Sequence, residues 1–347
     1  MNKLLKSLTE AVGVSGAEKE VRLLLRDLII DHVDEWRVDT MGNLIALKKG
    51  TGESDLRLMV DAHMDEVGLM ITDIASDGTL KFTAVGGFDD RALLGKIVQV
   101  GPKKYTGIIG AKPIHLLNNS EQERVVKQDA MRIDIGTKNK DAAGKLVTIG
   151  DRAAFITPYE ELGPTALGKA FDNRAGCAVL VELLQANPYP FDLYAAFTVQ
   201  EEVGLRGAEV AAYGINPDMA LVLESVPAYD LPNDNDVSSN VALGKGPAIY
   251  VMDRQTIQDP RLVAHITRIA AENEIPFQIR QPGGGGTNTG VIQQSRSGIR
   301  AATLSIPGRY AHTPAMLIHL DDYIHTIKLA ELTLRSLAEG LPEKVGK

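Results

Sequence analysis

The tightest constraint on the fold is a change of rhythm along the chain. Up to about residue 68, and again from about residue 159, short apolar runs alternate with helix-spaced segments. Residues 69–158 between them hold only short β-type pieces and turn signals. Strands that alternate with helices build a mainly parallel sheet covered on both faces. A stretch that never returns to helical spacing reads as an all-β insertion. The expected layout is a discontinuous α/β unit, residues 1–68 and 159–347, interrupted by a β-rich unit at 69–158. At 347 residues the chain is too long for one small core and suits this division.

The individual elements follow from spacing. Ser15 and Glu18 form a capping-box pair ahead of Val21, Leu24, Leu25, Leu28 and Ile29, which predicts the first helix. Residues 36–38 and 44–47 flank Met41-Gly42-Asn43 as strand, turn, strand. The run 56–62 is a buried strand that delivers His63 and Asp65 at its carboxyl end. Inside the insertion, strands are expected at 69–74, 80–85, 96–100, 105–109, 131–135 and 153–156, with turns at Asp77-Gly78 and Gly86-Gly87. The polar stretch 118–128 reads as a mobile loop. Beyond Pro164 come a helix at 174–185, strands at 191–198 and 220–223, and a helix at 259–274 opened by Asp259-Pro260. Strands at 277–280 and 301–306 and a last helix at 321–338 complete the pattern.

Composition narrows the function. A hydrophobic share of 44% with 24% charged residues fits a globular chain, and with only 5% aromatic residues the core must rest on aliphatic side chains. A formal charge of −8 without a basic run gives no footprint for nucleic acid or an anionic membrane. Cys177 is the only cysteine, so there is no internal disulfide framework. With no signal-peptide core near the start, the expectation is a cytoplasmic protein.

Several familiar chemistries lack their motifs. There is no His-Glu-x-x-His helix, no Gly-x-Ser-x-Gly elbow and no Cys-x-x-Cys pair. Residues 163–169 have phosphate-loop spacing, but Ala170 stands where a Ser or Thr is needed. In the glycine run 283–286, Asn288 and Thr289 occupy the places a dinucleotide fingerprint would fill. What remains is a set of imidazoles and carboxylates, each where a predicted strand ends: His63, Asp65, Asp172, Glu201, Glu202, Glu224 and His312. Chemistry in open α/β sheets collects at those ends. Oxygen donors mixed with imidazole suit zinc, cobalt or manganese, and two metals about 3.5–4 Å apart need a shared carboxylate, which this inventory contains. So much buried negative charge would be very costly without cations. His32, His265 and His325 are given no role.

These motifs resemble the M42 family of metallopeptidases, the glutamyl aminopeptidase and TET aminopeptidase group. The matching stretches are DAHMDEVG at 61–68, AKPIHLL at 111–117, LGKAFDNRAGC at 167–177, VQEEVGLRGA at 199–208 and IPGRYAHTP at 306–314. The resemblance implies two divalent metal ions per subunit, zinc or cobalt before manganese, bridged by Asp172. One metal would also bind His63 and Glu224, the other Glu202 and His312. Glu201 would be the general base, Asp65 would orient His63, and the Asp172–Asn173 peptide bond would be cis. It further implies a barrel-like dimerisation domain in the insertion, peptide substrates with a free amino terminus, and a homo-oligomer that can reach a tetrahedral dodecamer.

Three departures stand out. Glu224 sits where many relatives have Asp. Asn288 and Thr289 replace a common Asp-Ala pair, removing a charge close to the site, and Met316 replaces a usual Glu. Lys245, Arg254 and Arg309 are candidates for attracting acidic side chains. The competing readings are a related dinuclear hydrolase of acylated amino acids or carboxypeptidase-type substrates, a non-catalytic assembly protein of the same fold, and action on polysaccharide. Intact Glu201 argues against a binding-only role, and polysaccharide cleavage would need two carboxylates working without metal.

Overall fold

The computed structural model describes residues 2–231 and 241–341. Three strands come before the insertion: β1 (Glu35–Val38), β2 (Leu44–Lys48) and β3 (Arg57–His63). The hairpin between the first two turns at Gly42, whose φ of +101° suits a residue without Cβ. Six more follow: β4 (Gly68–Ile74), β5 (Leu80–Val85), β6 (Ile97–Val100), β7 (Tyr105–Gly110), β8 (Arg132–Asp134) and β9 (Arg152–Phe155). They close into a barrel in the order β4-β5-β8-β7-β6-β9, every pair antiparallel. Period-two alternation turns Leu69, Ile71, Phe82, Val98, Val100, Ile109, Ile133 and Phe155 into one apolar interior. Closure removes the exposed edges that strands this short would otherwise leave.

The remaining strands are β10 (Glu160–Leu162), β11 (Thr165–Gly168), β12 (Asp192–Thr198), β13 (Met219–Pro227), β14 (Ala248–Tyr250), β15 (Gln278–Arg280), β16 (Arg300–Arg309) and β17 (Met316–His319). With the first three they form an 11-stranded sheet ordered β1-β2-β12-β3-β13-β16-β17-β11-β10, with β14 on β16 and β15 on β14. Its centre, β12-β3-β13-β16, is parallel as expected. Both flanks are antiparallel, so the sheet is mixed rather than mainly parallel. The flanking strands are mostly hairpins of three to five residues, too short to show a period in the sequence.

The helices are α1 (Lys3–Glu10), α2 (Lys19–Ile29), α3 (Asn119–Gln122), α4 (Lys140–Gly144), α5 (Phe171–Gln185), α6 (Arg206–Ile215), α7 (Pro260–Glu272), α8 (Thr289–Gln293) and α9 (Leu320–Ser336). Alternation along the central strands divides them between the faces. Leu58, Val60, Ala62, Leu221, Leu223 and Leu304 point into the large core with α1, α2, α5, α7 and α9. Met59, Ala196, Ala220, Val222 and Ala301 point to the other face, against α6 and α8. No helix among the described residues is long and apolar enough to cross a membrane.

Two local expectations fail. The chain already forms α1 at residues 3–10, capped by Asn2, ahead of the helix expected to be first. The next helix, α2, has no side-chain cap, because Ser15 Oγ instead donates to Asp65 Oδ2 at 2.6 Å and Glu18 Oε1 accepts from Gly16 N–H. A buried carboxylate outcompetes the helix terminus for that hydroxyl. The polar stretch 118–128 is largely exposed, as expected of a loop, and carries the short α3.

Candidate metal centre

Five elements carry the seven chemical side chains to the carboxyl edge of the parallel strands. β3 ends in His63 and is followed by Asp65. The turn after β12 supplies Glu201 and Glu202, β13 supplies Glu224, and the first residues of α5 supply Asp172. His312 lies in the connection from β16 to β17 with φ +58°. The Asp172–Asn173 peptide bond is cis, as the motif implied. Asn173 Nδ2 donates to Leu223 O at 2.8 Å, which fastens this turn beside Glu224.

All seven predicted residues come together. His63 Nε2 lies 3.3 Å from Asp172 Oδ1 and 3.3 Å from Glu224 Oε1. The other Asp172 oxygen faces His312 Nε2 at 3.5 Å, and Glu202 Oε2 is 3.3 Å from the same nitrogen. Two donor triads therefore share Asp172: His63–Asp172–Glu224 and Asp172–Glu202–His312. Glu201 Oε2 stands 4.0 Å from His63 Nε2, in a third group with His63 and Glu202.

Asp65 does more than face His63. One oxygen is 3.4 Å from His63 Nδ1 and accepts Glu201 N–H at 3.0 Å. The other accepts Glu202 N–H at 3.2 Å and Ser15 O–H. Asp65 thus fixes the backbone of both glutamates with its carboxylate and meets the His63 imidazole with both that carboxylate and its backbone O, the latter 3.2 Å from Nδ1. Burial works against its charge, but His63 and Ser15 outweigh burial and hold Asp65 below the usual carboxylate range.

Electrostatics test whether cations fit here. Burial pushes Glu202 up to about 8 despite His312, with Asp172 adding to the rise. Burial likewise lifts Glu201 well above the carboxylate range and raises Glu224, in both cases against the pull of His63. Burial opposes charge on His63, yet Glu224, Glu201 and Asp172 hold its imidazole well above the ordinary value. The hydrogen bond from His312 to Asp172, with the charge of Glu202, takes His312 up to about 9. Burial would raise Asp172 too, but the two imidazoles hold it far below its usual value. The cluster retains protons wherever positive charge is missing. Glu202 Oε1 and Glu224 Oε2 are buried without a hydrogen-bond partner. Unpaired buried carboxylate oxygens beside imidazole nitrogens are the donor set that divalent cations take, so the residues present fit them.

The cluster floors a cavity of about 570 Å³, walled by Tyr229, Tyr250, Asp253, Arg280 and the glycine run Gly284–Gly286. The His312 side chain is 48% exposed where the other candidate ligands are buried or nearly so, so the centre opens on its side. Lys245, Arg254 and Arg309 are not among the lining residues. Lys245 and Arg254 are exposed, and Arg309 pairs with Asp230 at 2.6 Å. The cation on the wall is instead Arg280, stacked 4.3 Å over Tyr250 and donating to Met252 O and Gly284 O. Met316 is buried in the large core, against Gly308 rather than the cavity.

Sequence reading also missed a polar triangle beneath His63. Asp61, fully buried, accepts from Thr198 Oγ at 2.9 Å and from Asn288 Nδ2 at 2.7 Å. A carboxyl group on β3 thus stands directly against Asn288. Burial lifts Asp61 to about 7, against these hydrogen bonds. The only signal in the sequence was a carboxylate in the middle of an apolar run, two residues before His63.

The carboxylates and imidazoles gathered at the carboxyl edge of the α/β sheet, beside an inserted β-barrel, form a donor set for divalent cations. The M42 glutamyl aminopeptidase profile matches residues 42–329, and the chain belongs to that family. A chain of Acetivibrio thermocellus that bears a provisional aminopeptidase name is 40% identical over 330 residues, 95% of this chain and 97% of that one. The solved TET aminopeptidase of a marine sediment thaumarchaeote superposes with a TM-score of 0.93 at 35% identity, covering 97% and 98% of the two chains. A Pyrococcus horikoshii TET peptidase, described as assembling into a tetrahedron or a large octahedral shell, gives 0.86 at 34% identity and covers 96% and 98%. This chain is accordingly a peptidase, and its family membership implies metal-dependent catalysis.

Proposed function

We propose that this protein is a dinuclear metal-dependent aminopeptidase that hydrolyses the amino-terminal peptide bond of peptides. The observation that carries the reading is Asp172, whose two oxygens face His63 and His312 from opposite sides, each imidazole having its own glutamate. Asp172 would bridge the ions, His63 and Glu224 completing one site and Glu202 and His312 the other. Zinc or cobalt suits these donors best, with manganese also accommodated. Such ions, when bound, polarise the scissile carbonyl and acidify water.

The chain's own residues supply the rest. Glu201 is outside both bridged triads but borders them, and its backbone is held by Asp65. It takes a proton from the attacking water and returns it to the leaving amine as the C–N bond breaks. A carboxyl group lifted by burial holds a proton more firmly than a free one, which suits it to accept from water and pass on to the amine. Asp65 keeps His63 in one orientation through Nδ1.

We further infer that residues 1–68 and 159–347 form the catalytic unit and residues 69–158 a dimerisation unit, within a homo-oligomer that reaches a tetrahedral dodecamer. Supporting this, Ile97 and Ile108 pair across β6 and β7 with half their surface exposed, an apolar outer face that a second copy would cover. Ile108→Asp should shrink the particle seen by light scattering, and an unchanged particle would place the interface elsewhere.

The decisive experiment is a panel of amino-acid anilides, free and N-acetylated, with metal-depleted and metal-supplemented protein. Cleavage only of free-amine substrates, and only with metal, is expected. Preference for the acetylated compounds would move the protein to the acyl-amino-acid hydrolases.

A further inference from the structure

We propose that Asp61 is a positioning residue for the metal centre, acting with Thr198 and Asn288 to lock together the three elements that present His63, the Glu201–Glu202 turn and the glycine-rich cavity wall. The proposal rests on the metal reading above and adds to it a set of residues outside the ligand cage.

The argument starts from the face of the sheet. Met59, Asp61 and His63 alternate onto the side covered by α6 and α8. Met59 packs there in an apolar layer with Ala196, Ala220, Val222 and Ala301. One step further along, at the level where Ala196 and Val222 are its register partners, the chain places a carboxylate with no exposure. A small apolar side chain would fill that level without the desolvation cost of a buried acid. Stability of the sheet alone therefore gives no reason for Asp61.

Its hydrogen bonds do. One oxygen accepts from Thr198 Oγ at 2.9 Å, the other from Asn288 Nδ2 at 2.7 Å, and the same Nδ2 reaches Thr198 Oγ at 3.0 Å. The three side chains close a triangle across three elements. Thr198 is the register partner of His63, accepts Met64 N–H at 2.7 Å and stands three residues before Glu201. Asn288 follows directly on the cavity-lining Gly284–Thr287 stretch and opens α8. Asn288 Oδ1 is buried without a partner. Reversing the amide to satisfy it would set oxygen against oxygen at Asp61, so the carboxylate also fixes the amide's orientation.

The triangle can be tested by exchanging its members in wild-type and variant full-length protein. The readouts are cobalt affinity by competition with a chromogenic chelator, Tm, and kcat and KM separately. Asp61→Asn and Asn288→Asp should each lose roughly 10–100-fold in cobalt affinity or kcat, as for other groups that orient metal ligands, with KM little changed. The double exchange restores one acid facing one amide and should recover most of the loss. Should Asp61→Asn fail to fold, Thr198→Val should show the same loss and Thr198→Ser should not. A lower Tm with wild-type cobalt affinity and kcat, or a double exchange no better than the singles, overturns the proposal. Wild-type protein that binds no cobalt, zinc or manganese overturns the metal reading as well, so the two failures are told apart.

Discussion

The β-barrel and the carboxyl edge of the large sheet are both buried regions built on β-strands, yet they are held by opposite means. The barrel interior is wholly apolar, from Leu69 and Ile71 round to Ile133 and Phe155. The sheet edge buries Asp61, His63, Asp65 and Glu224 within a few residues of one another on neighbouring strands. Burial of apolar surface stabilises the first without any partner. In the second, burial alone is unfavourable, and each charge depends on an imidazole, a hydroxyl, a backbone N–H or a cation. The difference teaches where this molecule keeps its stability and where it has given some up for chemistry.

Removing metal should affect only the second region. Chelation is expected to abolish turnover and leave the secondary structure by circular dichroism intact, since neither core contains a ligand, and zinc, cobalt or manganese should restore activity. The pH dependence sharpens the contrast. Without metal, Glu202 has its carboxyl raised to about 8 from an ordinary 4.5, so it favours the folded state when protonated. That contribution is complete below about 4.5 and lost as pH rises towards 8. His312, raised to about 9 from 6.5, contributes below about 6.5 and loses its contribution as pH passes 9. The Tm of metal-free protein should therefore fall between about pH 5 and 9, while metal affinity rises over the same range as protons cease to compete. A Tm gap between metal-loaded and metal-free protein that does not widen with pH would break the comparison.

Next in size is the separation of two adjacent glutamates. Glu201→Gln should keep both metals by mass spectrometry and lose roughly 10²–10⁴-fold in kcat, the usual worth of a positioned acid–base group. Glu202→Gln should lose metal from one site and regain some activity when metal is added. The reverse pattern would exchange their roles, and full activity in Glu201→Gln would remove it as the base.

The barrel should answer differently. Ile133 has no exposure and pairs with Leu80 on one side and Ile109 on the other. Ile133→Ala should cost about 2–5 kcal/mol in denaturant unfolding, the range for such cavities, with kcat per metal-loaded site unchanged. A matching fall in kcat would show that barrel packing reaches the centre.

The two regions were also unequally legible. Every barrel strand was expected to within two residues at either end, because alternation over a closed apolar interior is written locally. At the sheet edge, the strands ending ahead of His63 and of Glu201 and Glu202 were legible, but β11 ahead of Asp172 was not, and β13 and β16 run on to Pro227 and Arg309, past the ends expected near Glu224 and before His312; which of these residues meet was carried by the family motifs. The partners of Ser15 and Asp61 lie 50 and 227 residues away, and no local spacing encodes them. Ser15 read as a helix cap for that reason. Arg280 was overlooked in favour of Lys245, Arg254 and Arg309 because the wall of the cavity is set by how β15 pairs with β14, a three-residue match. The short α1, with only Leu5, Leu8 and Thr9 buried, shows too few turns to declare a period.

The smallest predicted effect lies at the opposite, amino edge of the same sheet, where nothing is reserved for chemistry. Asp259 caps α7: its Oδ1 accepts Arg261 N–H at 2.9 Å and Leu262 N–H at 3.1 Å, and its own N–H donates to Ala301 O near the start of β16. Pro260 has no N–H to satisfy, so these two donors are the first that the helix must pair. Asp259→Ala leaves both to water and should cost about 0.5–2 kcal/mol. Asp259→Asn keeps an accepting oxygen and should recover most of that. Because Ala301 and the site residues sit at opposite ends of the parallel strands, kcat and metal content should match wild type in both variants. Should Asp259→Ala alter either one beyond its effect on the folded fraction, the two edges of the sheet would be coupled, and the division of stability from chemistry drawn here would not hold along the strands.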